Sequence, residues 1–182
     1  METTKNKSFW RTDSKALIGS VILGVVMVLA SQAAGVVDNL LPTGKAGMLI
    51  VNGAVWAIFT GLVPLIYKQP AGLITSVVEA LLSIFYSPLW ISIIFANVVC
   101  SLLASFVAQK FKMDKLSHHF IAQFFVNYIG NIFICIGLVK IFGAPLKVAV
   151  IESLIVATVD WVVASIATKY MYDGIKKSGL VK

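Results

Sequence analysis

Read from its N-terminus, the chain alternates long apolar runs with short polar breaks. Six apolar runs can be drawn, at about 16–35, 47–67, 71–87, 89–111, 120–142 and 145–168. Most approach the roughly 20 helical residues that a bilayer's hydrocarbon core requires. Barrel strands would instead show period-two segments of about ten residues. The pattern predicts an all-α membrane protein, one bundle of six transmembrane helices filling residues 1–182 as a single integral membrane domain. A cytoplasmic N-terminal segment (1–14) and a cytoplasmic tail (169–182) are expected to flank it.

Composition strengthens this reading. Of the 182 residues, 59% are hydrophobic and 13% charged, and the mean hydropathy is +0.92. A soluble domain would carry about a quarter charged residues.

Charge then sets orientation. The net charge is +7, but the cations fall between apolar runs, which argues against nucleic acid as a partner. Short breaks such as KQP and SP force antiparallel neighbours. One side then receives Lys5, Lys7, Arg11, Lys15, Lys68, Lys110, Lys112, Lys115, Lys169, Lys176, Lys177 and Lys182. The other receives Lys45, Lys140 and Lys147. The positive-inside rule places both termini in the cytoplasm of a multi-pass protein of the cell membrane. The basic start, apolar run and Ser31-Gln32-Ala33 also resemble a secretory signal. Cleavage there would leave five spans and spoil the charge pattern, so an uncleaved first span is expected.

Candidate chemistry is sparse. PTGKAG (Pro42 to Gly47) lacks the Ser or Thr and the upstream glycine of a nucleotide-binding loop. No metal-binding, serine-hydrolase or other catalytic set can be assembled, so neither an enzyme nor a bound cofactor is expected. His118 and His119 read as an interfacial pair, and Cys100 and Cys135 as small core residues. Polar residues do recur at four-residue spacing, which keeps them on one face of a helix. The second run has Asn52, Trp56 and Thr60, the third Thr75, Glu79 and Ser83, and the fourth Asn97, Ser101 and Ser105. The fifth has His119, Gln123, Asn127 and Asn131, and the sixth Glu152 and Asp160.

Interhelical hydrogen bonds explain single Ser and Thr residues, at about 0.6 kcal/mol each. They explain three carboxylates poorly, since each costs about 3 kcal/mol at mid-membrane. No Lys or Arg lies at matching depth, so a cationic or hydrogen-bond-donating ligand, or protonation, is the natural partner. The expected site is a polar, aromatic pocket opening outward, mainly between the fourth, fifth and sixth runs. Its candidate residues are Glu152, Asn131, Asn127, Asn97, Trp161, Glu79 and Trp90, with Glu152 the direct ligand contact and Glu79 near the floor. Tyr86 and Trp90 also suit the membrane's aromatic belt. Ala16, Ser20 and Gly24 form a small-residue stripe fit for internal packing or for a partner protein.

The layout resembles the substrate-binding S components of energy-coupling factor (ECF) vitamin transporters. KQPAGLITSVVEALL (Lys68 to Leu82) is similar to a thiamine-type segment in which a Lys-Pro-small break precedes an acidic apolar helix. KYMYDGIKKSGLV (Lys169 to Val181) resembles the closing segment of the same group. The resemblance implies capture of a vitamin or precursor, thiamine or its aminopyrimidine foremost. It also implies a transmembrane coupling protein and two cytoplasmic ATPases as partners. Ala16 would match a helix-one docking alanine, while Ser20 and Gly24 depart from that pattern. The competing expectation is a structural or proton-relay subunit of another membrane complex.

Overall fold

In the computed structural model of the chain, residues 9–10, 13–45 and 47–179 are described, the side chain of Lys45 excepted. Outside them fall most of the predicted N-terminal segment, with Lys5, Lys7 and Arg11, as well as Ala46 of PTGKAG and Leu180, Val181 and Lys182 of the tail.

The described residues form helices joined by short turns. They are α1 (Ser14–Leu40), the single turn α2 (Pro42–Lys45), α3 (Ile50–Tyr67), α4 (Ala71–Ser83), α5 (Trp90–Lys110), α6 (Leu116–Phe124), α7 (Gly130–Ile141) and α8 (Leu146–Lys177). A π-helical turn, Phe125–Ile129, joins α6 to α7 in one rod. Among the described residues the only β feature is an isolated bridge between Trp10 and Gln69.

Among the described residues five helices are long and apolar enough to cross a membrane: α1, α3, α5, the α6–α7 rod and α8. The third predicted run differs. Its helix α4 has 13 residues, about 20 Å at 1.5 Å per residue, well short of a 30 Å hydrocarbon core. It stops at Ser83 rather than at residue 87, and tight turns take its place. The amides of Ile84, Phe85 and Tyr86 bond back to Leu81, Leu82 and Ser83. Pro88 disfavours helix at the residue before it.

In-plane order follows from the contacts. α1 packs on α4, α4 on α5, α5 on α7, the α6–α7 rod on α8, α8 on α3, and α3 on α1. α3 also reaches α4, α5 and α6, which makes it the most enclosed of the long helices.

Polarity is distributed inside out. Ile18, Ile22, Leu29, Phe95, Ile132 and Leu154 are exposed, while Ser20, Thr75, Gln69, Asn97, Gln123 and Asp160 are buried. A water-soluble fold buries the first kind of residue and exposes the second. An apolar exterior over polar interhelical contacts fits a multi-pass membrane protein.

Gln69, in the KQP break, ties α4 to α5. Its Nε2 donates to the Ser101 carbonyl (3.2 Å), Ser101 Oγ (3.1 Å) and Ser105 Oγ (2.8 Å), while its Oε1 accepts from Leu73 N (3.0 Å). The break is therefore a buried buttress as well as a turn.

The small-residue stripe of α1 is turned inward. Ala16, Ser20 and Gly24 are all buried, and the Ser20 carbonyl accepts from Thr75 Oγ1 of α4 at 2.9 Å. A Cβ on Gly24 would lie 2.7 Å from Val78 Cβ and 3.0 Å from the Thr75 carbonyl. The stripe lets α1 and α4 approach backbone to side chain, which is the internal-packing role expected of it. Gly24→Leu is expected to destabilise the detergent-solubilised chain by about 2 kcal/mol through overpacking. Ile22→Ala, on the exposed face, is expected to shift the thermal unfolding midpoint far less.

Candidate functional site

A cavity of about 700 Å³ lies at one end of the bundle. It draws on the C-terminal halves of α1 and α4 and on α7, and on the N-terminal halves of α3, α5 and α8. These are the ends joined by the α1–α3, α4–α5 and α7–α8 connections, so the cavity opens away from the N-terminus of α1 and the C-terminus of α8. All six walls contribute. The expected pocket, mainly between the last three runs with Glu79 near its floor, is thus too narrow, since Ser31, Asn52 and Trp56 come from the first two long helices.

Chain direction assigns depth. Asn39, Leu49, Phe142 and Glu152 lie toward the mouth, whereas Ser31, Trp56, Glu79, Ala96, Gly130 and Asp160 lie farthest from the connections. The segment Tyr86–Leu89 lines the cavity beyond the end of α4. Non-helical backbone at membrane depth is tolerated where it faces a cavity or protein rather than lipid. The shortness of α4 and the presence of the cavity are therefore one feature.

Three of the seven candidate residues line this space: Glu79, Asn131 and Glu152. Glu79 is fully engaged within the protein. Its Oε1 accepts from the Tyr86 hydroxyl at 3.1 Å and its Oε2 from Asn97 Nδ2 at 2.6 Å. Glu152 is half-buried near the mouth. Asn131 Nδ2 donates to the Asn127 carbonyl at 2.9 Å.

The other four lie outside the cavity. Asn97 is buried behind its wall, donating also to the Ser76 carbonyl (2.8 Å) and accepting from Trp56 Nε1. It orients two lining side chains without lining the space itself. Asn127 sits in the π turn and donates to the Gln123 carbonyl (2.9 Å) and Gln123 Oε1 (3.1 Å). The wider turn alters carbonyl pairing, and local amides, with Cys100 Sγ on the Val126 carbonyl at 3.2 Å, take up the slack. Trp161 is held on the α6–α8 face, its Nε1 on the Phe120 carbonyl (2.8 Å) and its ring among Phe120, Phe124 and Tyr128. Trp90 begins α5, half-buried and away from the cavity.

Trp56 takes the place expected of Trp161. It lines the cavity, its indole N–H is fixed by Asn97, and its Cη2 lies 2.5 Å from where a Cβ on Gly130 would stand. Sequence periodicity put Trp56 in the polar series of the second run, but only the approach of Gly130 shows that the ring is clamped there.

Two further acids matter. Asp160 is 1% exposed, lines the cavity floor, and neither carboxylate oxygen has a hydrogen-bond partner. Asp38, which falls in none of the polar series, is the third residue from the end of α1. Its Oδ1 and Oδ2 accept from Val51 N and Asn52 N, each at 2.8 Å. It caps α3 from another helix, a role that no local spacing signals.

At the opposite end His119 is buried, with Nε2 3.1 Å from the Met113 carbonyl, and His118 Nδ1 lies 3.1 Å from Asp114. Among the described residues no group of His, Cys, Asp and Glu comes together as a metal site.

No protein family, curated protein or solved structure matches this chain. Fold and site by themselves define the class: an all-helical protein with five helices fit to cross a membrane and an acid-lined cavity between them.

Proposed function

We propose that the chain is the membrane-embedded substrate-binding component of an ECF-type importer. In this reading it has six spans in the cell membrane, α4 completed by its turn segment, and both termini are cytoplasmic. It takes a vitamin or vitamin precursor from outside, thiamine or its aminopyrimidine precursor foremost. A transmembrane coupling protein and two cytoplasmic ATPases drive uptake.

The cavity carries the proposal. Its volume suits a small ligand, and among the described residues lining it Glu79, Glu152 and Asp160 meet no Lys or Arg. Lys15, Lys68, Lys110, Lys169 and Lys177 lie toward the opposite end of their helices, the cytoplasmic side under the positive-inside rule. The mouth then faces outward.

The chain purified in mild detergent is expected to bind thiamine or the aminopyrimidine with a Kd of about 1 μM or tighter in titration calorimetry. Native mass spectrometry should detect the same ligand carried through purification. A folded chain that binds no member of a vitamin panel, and that co-purifies with a respiratory or secretion complex, would replace this reading with a structural or proton-relay one.

A further inference from the structure

Asp160 is the one carboxylate of the cavity whose oxygens are both buried and both unpartnered. Glu79 has a donor on each oxygen, and Glu152 lies near the mouth with access to water. A buried polar group without a partner is rare and costly. The position of the carboxyl group is built into the fold: a Cβ on Gly53 would stand 2.0 Å from Asp160 Oδ2, so the absence of a side chain on α3 makes room for it. Ser153 Oγ, two turns up the same face of α8, and Ser31 Oγ across from it on α1 also line the cavity, buried and unpartnered. Trp56, three residues beyond Gly53, supplies a fixed ring in the same space.

We infer that Asp160 is the anchor of the cavity. It receives a planar cationic group with two adjacent N–H donors, such as an amidinium or protonated amino-heterocycle edge, while Trp56 carries the attached ring. Two free oxygens on one carboxylate match two parallel donors, a pairing stronger and more directional than a point charge. A cation over the face of an indole gains further attraction. The inference rests on the proposed reading of the cavity as a ligand site and names the chemistry that the site selects.

The test uses the full chain in detergent and follows quenching of tryptophan fluorescence. Thiamine is expected to quench wild type. Benzamidine, a flat ring with a two-donor cationic edge, is expected to compete with it, and choline, a cation with no N–H donor, is not. Asp160→Asn should weaken thiamine binding about 30-fold, or about 2 kcal/mol, without lowering the melting temperature of the ligand-free chain, because no bond to protein is lost. Glu152→Gln should weaken binding less than about fivefold. Should Asp160→Asn fold poorly, carbodiimide labelling of wild-type Asp160, read by peptide mass spectrometry, is expected to be blocked by thiamine. Thiamine binding that is unchanged in a folded Asp160→Asn chain, or that leaves labelling unaffected, overturns the anchor while the transport reading stands. Choline competing as well as benzamidine overturns the two-donor edge. Failure of folded wild type to bind either thiamine or benzamidine overturns the anchor, and the transport reading falls with it only when no other member of the vitamin panel binds.

Discussion

Asn97→Ala is expected to lower the stability of the detergent-solubilised chain by about 3 kcal/mol and to weaken ligand binding at least tenfold, about 1.4 kcal/mol. Asn97 is the knot of three helices. From α5 it accepts the Trp56 indole N–H of α3 and donates to the Ser76 carbonyl and Glu79 Oε2 of α4. Alanine orphans the indole N–H and one carboxylate oxygen, both largely screened from water, and such a group costs about 1–3 kcal/mol when its partner is removed. Interhelical hydrogen bonds in membranes average less, about 0.6 kcal/mol. The larger figure is expected here because one acceptor is a carboxylate that keeps only the Tyr86 hydroxyl. Binding suffers separately, since a Trp56 ring without its tether turns away from the cavity wall. Thermal unfolding measures the first effect and titration calorimetry the second. If binding is lost while the melting temperature holds, the stability argument fails. If the melting temperature falls while binding holds, Trp56 is no part of the site.

Asp38→Ala is expected to cost about 3 kcal/mol, and Asp38→Asn about half of that. Both carboxylate oxygens accept amides from the first turn of α3, where a helix leaves N–H groups unpaired and presents its positive end. Ordinary caps contribute about 1 kcal/mol. Two charge-assisted bonds made by a fully buried group contribute more. The same acid sits unfavourably at the negative end of α1, so its position is explained by α3 alone. Because Asn52 and Gly53 follow directly, loosening this cap should also loosen the wall opposite Asp160. Hydrogen exchange of the Val51 and Asn52 amides should rise sharply in Asp38→Ala and leave the α6–α7 rod protected. Unchanged protection at these amides would show that the cap is dispensable.

Apolar period and charge were enough to place every long helix to within a few residues at most ends, since long apolar runs leave the backbone little choice but to bond within itself. The ends of α1 and α8 were missed. They run to Leu40 and Lys177 rather than 35 and 168, because past the apolar core polar residues continue a helix without penalty. The third apolar run outlasts its helix by four residues because hydropathy cannot distinguish a helix in lipid from a turn lining a cavity. Among candidate residues, Glu79, Asn131 and Glu152 reach the cavity because four-residue spacing keeps polar groups on the inward face. Spacing does not say which neighbour takes each group. Asn97 and Asn127 share the inward spacing of the lining residues, yet the Asn97 amide and the Asn127 Nδ2 are taken by protein atoms behind the wall.

An all-helical, membrane-suited chain with its polar residues turned inward is already legible in the residue pattern, because burial of apolar surface and satisfaction of backbone groups are local properties of each run. It took the packing of helix on helix to show that Ser20 and Gly24 meet α4, that Trp56 rather than Trp161 faces the cavity, and that Asp38 closes a helix end while Asp160 stays buried without a partner. Those outcomes depend on which side chain meets a glycine or a free amide across a helix contact. Such a meeting is fixed by the rotation and depth of two helices relative to each other, which no single helix encodes.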